Sequence, residues 1–230
     1  MLTSLSVFFP AFNEAENLEK LLAQAHDVLP TIARQFEVIV INDGSTDNTK
    51  AVVRKLQEKY DWLRILSHKT NLGYGAALKT GIEACTFDWT FWSDSDLQFD
   101  LHTLTTFLQY TGKYDAIIGY RAHRADTLLR KINGELYTRL INLLFDMKVR
   151  DIDCAFKLIK TSLLHESLIT SASAFTSAEI LIRLQRKHVK LMQLPVQHYK
   201  RRNGTPTGGS LRVIFKGLRE TLSFFLSSRK

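Results

Sequence analysis

Two carboxylates one residue apart close an aromatic run in the stretch FWSDSDLQFD, Phe91 to Asp100, and a glutamine follows two residues later. Alternate side chains of an extended segment point the same way, so Asp94 and Asp96 can converge on one hard cation while Ser95 turns aside. Magnesium or manganese held together with a phosphate suits such oxygen ligands. Acids after a strand also serve as loop residues or helix caps, and Asp100, opening FDLHTLTTFLQY, fits that role. The preceding DWTFW has the composition of a buried strand, so the pair stands where a strand stops and a helix begins. Open α/β sheets bind ligands there, beyond the carboxyl ends of their strands.

Three further loops carry polar residues at the same kind of position. PAFNEAEN follows a first strand, NDGSTDNT a second and HKTNLGYGAAL a third. In NDGSTDNT, Gly44 permits a tight turn, Asp43 can accept from a ribose hydroxyl or a base edge, and Thr46 or Asp47 caps the next helix. Alone, that loop is a turn and a cap. Four such loops on one sheet edge make a single site.

The elements that must position them alternate along the first half: LSVFFP, AENLEKLLAQAHDVL, FEVIVIND, TDNTKAVVRKLQEKY, LRILSH, GYGAALKTGIEA and DWTFWSD. This βαβα order predicts a mostly parallel sheet flanked by helices on both faces. FEVIVI, apolar almost throughout, reads as a central parallel strand. After DAIIGYR the alternation stops. A long helix follows in DTLLRKINGELYTRLINLLF, with Leu129, Ile132, Leu136, Leu140 and Leu144 in one apolar stripe. Then come CAFKLIK, a helix near SAEILIRLQRKH, the strand KLMQLPVQ, the loop HYKRRNGTPTGGS and a helix from Leu211 to Leu226.

At 230 residues and 45% hydrophobic, the chain can bury a full core as one domain. Cys85 and Cys154 lack zinc or disulfide spacing and read as core residues of a reducing compartment. The histidines form no H-x-x-x-H pair, which argues against a histidine metal site. No apolar run reaches the roughly 18 residues of a spanning helix, and no signal peptide is visible, so a soluble or peripheral protein is expected. The formal charge of +8 is uneven: from Arg183 onward 12 Lys and Arg face one acid, Glu220. That excess points to an anionic partner, phosphates or anionic lipid, since no nucleic-acid-binding motif is present.

In order and spacing, PAFNEAENL, VINDGSTDNT, NLGYGAALKTGI, SDSDLQFD, GYR, DIDCAFKL and LPVQHYKRRNG resemble family 2 nucleotide-sugar glycosyltransferases. The likeness is to the branch of dolichol-phosphate mannose synthases, dolichyl-phosphate glucosyltransferases and polyprenyl-phosphate glycosyltransferases, and covers nearly the whole chain. It implies an α/β GT-A (Rossmann-like) fold and an inverting transfer of one hexose, from GDP-mannose or UDP-glucose, to a polyprenyl phosphate. It implies Mg2+ or Mn2+ as cofactor. Residues 1–210 would be the catalytic domain, with 1–98 as the nucleotide-sugar half and 99–210 as the acceptor half; 211–230 would be an amphipathic basic helix.

Carried over residue by residue, Pro10, Phe12 and Glu14 would line the nucleobase pocket, Phe12 standing where the family commonly has Tyr. Asp43 would hold the nucleoside. Asp94 would contact ribose or metal, and Asp96 with Gln98 would ligate the metal. Arg121, Arg130 and Lys131 would meet the acceptor phosphate. The R-x-x-G spacing selects Arg201, rather than Arg202, as the loop arginine that grips the donor diphosphate. An acceptor phosphate is already ionised near neutral pH and needs no strong base. A sugar or lipid hydroxyl would need one, with Asp153 or Glu179 as candidates, each also readable as a turn acid or a helix N-terminal acid. A non-catalytic nucleotide-sugar-binding module would have no need of Asp94, Asp96 and Arg201. The last helix spaces Leu211, Ile214, Phe215, Leu218, Leu222 and Phe225 among Arg212, Lys216 and Arg219. It would pack on the protein's own core, meet a membrane-protein partner, or lie on the cytoplasmic membrane face, which its phenylalanines and bases favour.

Overall fold

The structure is a computed structural model and describes residues 1–204 and 211–227. Seven strands, β1 (Leu2–Ala11), β2 (Ala33–Asn42), β3 (Leu63–Ser67), β4 (Trp89–Trp92), β5 (Ala116–His123), β6 (Lys157–Lys160) and β7 (Leu191–Gln197), form one sheet in the order β3-β2-β1-β4-β6-β5-β7. The pairs β1–β2, β2–β3, β1–β4 and β5–β7 are parallel. β6 runs antiparallel to both β4 and β5, a reversal that the pattern of CAFKLIK does not signal.

Alternation along the strands builds two cores, one on each face. Val7, Phe9, Val38 and Val40 belong to one; Phe8, Ile39 and Ile41 belong to the other. Helices α1 (Ala15–Ile32), α2 (Thr49–Gln57) and α4 (Leu104–Leu108) contribute to the first. Helices α3 (Tyr74–Ala84), α6 (Thr161–His165) and α7 (Thr176–Arg186) contribute to the second. With both faces covered, the central strands have no polar side, which is why they read as nearly unbroken apolar runs. Cys85 and Cys154 are buried free thiols, each pushed up to about 12 by burial.

The chain enters on β1, builds outward to β2 and β3, then crosses back to place β4 on the other side of β1. The topological switch therefore falls between β1 and β4, and their carboxyl ends flank a crevice. Asp100 caps the short helical turn beyond it, accepting from the His102 backbone N–H at 3.0 Å.

Two helices differ from their sequence pattern. In α5 (Leu128–Phe145) only Thr138 and Ile141 are buried; Leu129 and Leu136 of the expected stripe are 69% and 57% exposed. Its first half carries apolar residues outward. In α8 (Leu211–Ser227) the expected single stripe divides. Gly217 and Thr221 turn inward, and the Phe224 ring meets Phe175 and Phe145 at centroid distances of 5.3 and 6.0 Å. Phe215, Leu218, Leu222 and Leu226 remain exposed. The Leu211 and Ile214 side chains and the 205–210 part of the Gly/Thr-rich loop lie outside the described residues. No helix among the described residues is long and apolar enough to cross a membrane.

Candidate active site

Strand β4 delivers Asp94 and Asp96 to the crevice, and Ser95 turns away between them. The Ser95 hydroxyl donates to the Pro10 carbonyl at 2.7 Å, tying the loop after β4 to the end of β1. The Tyr74 hydroxyl, at the start of α3, hydrogen-bonds Asp94. Burial, reinforced by the neighbouring Asp96 charge, pushes the Asp94 carboxyl up to about 7. Asp96 accepts from the Gln98 backbone N–H at 3.2 Å.

From the loop after β1, Glu14 enters the same space. Burial raises its pKa, while Asn17 donates to it at 2.5 Å. Arg201 reaches both acids from the far end of the chain: its Nη2 lies 3.0 Å from Glu14 Oε1 and 3.0 Å from Asp96 Oδ2. Burial works against that charge, but Asp96 and Glu14 together raise the guanidinium pKa. Arg202 is exposed. The arginine's loop is pinned across the crevice by a reciprocal pair: Tyr199 N–H donates to the Gln98 carbonyl, and the Gln98 amide donates to the Tyr199 carbonyl, both at 2.8 Å. Asn203 donates to Asn17 at 3.2 Å and adds a second tie.

The opposite side of the crevice is organised by Asn13 and Asp43. Asn13, at φ 57°, accepts at its amide oxygen from the Thr46 and Asp47 backbone N–H groups, joining the loops after β1 and β2. Asp43 accepts from the Leu72 and Gly73 backbone N–H groups at 2.9 and 2.8 Å and contacts His68 Nδ1 at 2.7 Å. Its carboxylate thus shapes the 68–73 loop. Gly44 permits that approach: its φ is 66°, and a Cβ there would come within 2.3 Å of the Thr70 backbone. Pro10 is buried and Phe12 partly buried beside this floor.

A second charged group lies beyond β5. Arg121 forms a bidentate pair with Asp151, 2.7 Å at both Nε and Nη2. Arg124 Nε contacts Asp126 at 3.0 Å, and Arg130 and Arg121 approach the same carboxylate at 3.6 and 3.9 Å. Lys131 is exposed. Asp153, its pKa raised by burial against the opposing pull of Arg121, sits partly buried next to this group. Beneath it the fully buried Lys157 donates to the carbonyls of Ile152 and Cys154, and burial lowers its pKa. Glu179 takes the structural role of the two open to it. Its fully buried carboxylate accepts from Thr170 N–H, Ser171 N–H and Arg183 Nε at 2.7 to 3.0 Å and holds the turn before α7.

Arg124, Asp126, Asp151, Tyr74, His68, Asn13 and Lys157 escaped the sequence reading of the site. Asn13, His68, Tyr74, Asp151 and Lys157 lie inside the motifs PAFNEAEN, HKTNLGYGAAL and DIDCAFKL, while Arg124 and Asp126 belong to none of these.

For a divalent cation, the donor set is open rather than closed. Among the described residues no group of three or more His, Cys, Asp and Glu forms a metal cage. Two carboxylates one residue apart fit Mg2+ or Mn2+, which bind through one or two carboxylates, substrate phosphates and water.

A doubly wound sheet with an acidic pair at its switch point is the architecture of GT-A glycosyltransferases, and solved structures agree on the fold. Glucosyl-3-phosphoglycerate synthase from Mycobacterium tuberculosis, crystallised with Mn2+, UDP and phosphoglyceric acid, superposes with a TM-score of 0.73 at 20% identity, covering 98% of this chain and 78% of that one. S. aureus TarS with UDP-GlcNAc gives a TM-score of 0.66 at 17% identity over 95% and 65% of the two chains. Residues 6–168 match glycosyl transferase family 2, and the chain belongs to that family.

Among curated relatives, glycosyltransferase AglD of Haloferax volcanii is 30% identical over 203 residues, 84% of this chain and 32% of the relative. Dodecaprenyl-phosphate galacturonate synthase of Rhizobium johnstonii is 27% identical over 229 residues, 96% and 67%. Undecaprenyl-phosphate 4-deoxy-4-formamido-L-arabinose transferase of Klebsiella pneumoniae is 24% identical over 213 residues, 91% and 64%. The chain therefore spans between about a third and two thirds of the length of these relatives.

Proposed function

We propose that the protein transfers one hexose, with inversion, from a nucleotide sugar such as GDP-mannose or UDP-glucose to a polyprenyl phosphate. The observation that carries this reading is the meeting of Asp96, Glu14 and Arg201 at the switch crevice, with a separate arginine group beyond β5. Residues 1–98 would hold the donor and 99–210 the acceptor. Two relatives named for dodecaprenyl-phosphate and undecaprenyl-phosphate chemistry support the acceptor class.

Pro10, Phe12 and Glu14 would line the nucleobase pocket, with Asp43 holding the nucleoside and fixing the 68–73 loop beside it. Asp94 and Asp96, with Gln98 at the rim, would hold Mg2+ or Mn2+. The cation, when bound, neutralises charge on the leaving diphosphate. Arg201 would shift from its carboxylates onto that diphosphate, where negative charge grows as the bond between the anomeric carbon and the β-phosphate oxygen breaks. An acceptor phosphate oxygen forms the new bond from the opposite face. Being already ionised, it releases no proton, and neither Asp153 nor Glu179 is asked to act as a base. Arg121 and Arg130 would steady this oxygen. The exposed apolar faces of α5 and α8, with the basic residues between them, would rest on the cytoplasmic membrane face where such an acceptor resides.

The test is direct: purified protein, Mn2+, a panel of GDP-mannose, UDP-glucose and UDP-GlcNAc, and polyprenyl phosphate, with glycolipid detected by mass spectrometry. Transfer to a sugar hydroxyl but not to the lipid phosphate would overturn the acceptor assignment.

A further inference from the structure

Three guanidinium groups surround one carboxylate beyond β5, and that carboxylate belongs to the chain itself. Asp126 has Arg124 Nε at 3.0 Å, Arg130 Nη1 at 3.6 Å and Arg121 Nη1 at 3.9 Å, and its side chain is only 7% exposed. Arg121 is otherwise committed to Asp151. Five charged groups thus leave a net cation, and the two longer contacts to Asp126 exceed hydrogen-bond length. A monocarboxylate satisfies this cage poorly. A phosphate monoester carries nearly twice the charge and three acceptor oxygens, and arginines can bind it bidentately.

The Arg124 guanidinium packs over a glycine. Gly134, one and a half turns into α5, leaves the space that the guanidinium fills: a Cβ there would stand 2.5 Å from Arg124 Nη1. Glycine in a helix interior costs on the order of 1 kcal/mol relative to alanine, so the notch is a local sacrifice of helix stability. The cage also borders apolar surface. Leu128 and Leu129 directly precede Arg130, stand 73% and 69% exposed, and are followed along α5 by exposed Ile132 and Leu136. A ligand whose phosphate sits among the arginines can lay a hydrocarbon chain along these leucines.

We propose that Arg124, seated in the Gly134 notch, is a binding residue for the phosphate of an isoprenoid phosphate monoester, and that Asp126 is the resident carboxylate which this phosphate displaces. The inference rests on the acceptor reading above. Asp126 lies ahead of the first helical residue, in the segment joining β5 to α5, so it can turn out without unwinding a helix.

Calorimetric titration with farnesyl phosphate and with inorganic phosphate tests it on the intact chain, with melting temperatures confirming that each variant folds. Asp126→Asn keeps the shape and removes the competing charge, and should bind farnesyl phosphate about tenfold more tightly than the wild type. Arg124→Gln, which removes the charge and keeps an amide in its place, should weaken binding. Unchanged or weaker binding by a folded Asp126→Asn protein overturns the displacement, because Asp126 would then be organising the arginines. Equal affinity for farnesyl phosphate and inorganic phosphate overturns the lipid assignment. If the binding changes appear while no donor yields a glycolipid, the proposed transfer fails and the phosphate site stands.

Discussion

Arg201 Nη2 lies 3.0 Å from Asp96 Oδ2 across 105 residues of chain, and the same nitrogen holds Glu14. One cation thus neutralises two acids contributed by opposite flanks of the switch crevice. A loop arginine that moves from these acids to a leaving diphosphate acts mainly on developing charge. Arg201→Ala should therefore lower kcat more than it weakens nucleotide binding, and Arg202→Ala should be milder. Steady-state kinetics beside nucleotide titration checks this. The reverse order would assign the role to Arg202.

Asp96→Ala should reduce transfer on the order of a hundredfold or more. The fold should persist, because Glu14 still pairs with Arg201 and the core residues are untouched. Circular dichroism with an activity assay across Mn2+ concentrations separates the two effects. Activity near the wild-type level with unchanged metal dependence would remove Asp96 from the cation site.

The crevice also makes stability depend on pH in the absence of cation. The Asp94 carboxyl is raised to about 7 in the folded chain from 3.8, chiefly by burial and then by Asp96. Between these values the folded state holds a proton that the unfolded state has lost, so stability falls as pH rises, by at most about 1.4 kcal/mol per unit for one group. Glu14 and Asp153, also raised, act in the same direction. The metal-free protein should melt at a lower temperature at pH 7.5 than at pH 5.5, and Asp94→Asn should flatten the slope. An equally steep slope in that variant would place its source elsewhere.

What the sequence made legible was what short-range pattern controls. FEVIVI and DWTFW announced buried strands, and the acids after them fell at the crevice because chain direction in a parallel sheet is set by the helices between. The reversal of β6 was not legible, since CAFKLIK is apolar enough for either direction. Nor was the fate of polar side chains whose partners come from distant loops. Asp43 read as an acceptor for a ribose hydroxyl or a base edge, and its bonds to two N–H groups and His68 of the 68–73 loop were not visible in the sequence. The α5 stripe was legible as one apolar face, but its exposure was not, because spacing shows which residues share a face and not whether anything covers it. Arg124 had no signal, for its packing over Gly134 arises only in the fold.

Glu179 illustrates a structural acid whose removal should cost stability instead of chemistry. Glu179→Ala leaves the Thr170 and Ser171 donors and the Arg183 guanidinium without their acceptor. Thr170 is exposed and Ser171 and Arg183 partly so, and hydrogen bonds of such donors contribute about 0.5–1.5 kcal/mol each. Chemical denaturation should show a loss within or above that range, with the KM for donor preserved in the folded fraction. A stable variant with abolished turnover would instead return Glu179 to the list of catalytic acids.

The exposed apolar faces permit a membrane test that spares the core. Removing α8 whole would strip Gly217, Thr221 and Phe224 from their contacts with the protein body and so confound docking with stability. Replacing Phe215, Leu218 and Leu222 together with serine touches only exposed side chains of that helix. Each buried apolar side chain would contribute about 1.5–3 kcal/mol to an interfacial helix, and each nearby Lys or Arg about 1 kcal/mol on anionic lipid, screened by salt. The triple variant should keep its melting temperature and leave anionic liposomes in a flotation assay. Its KM for a long-chain polyprenyl phosphate should rise, while a short water-soluble phosphate acceptor should be used as before. Lys216→Gln with Arg219→Gln should weaken flotation at low salt and leave little difference at high salt. Undiminished flotation of the triple serine variant would show that this face does not carry the membrane contact.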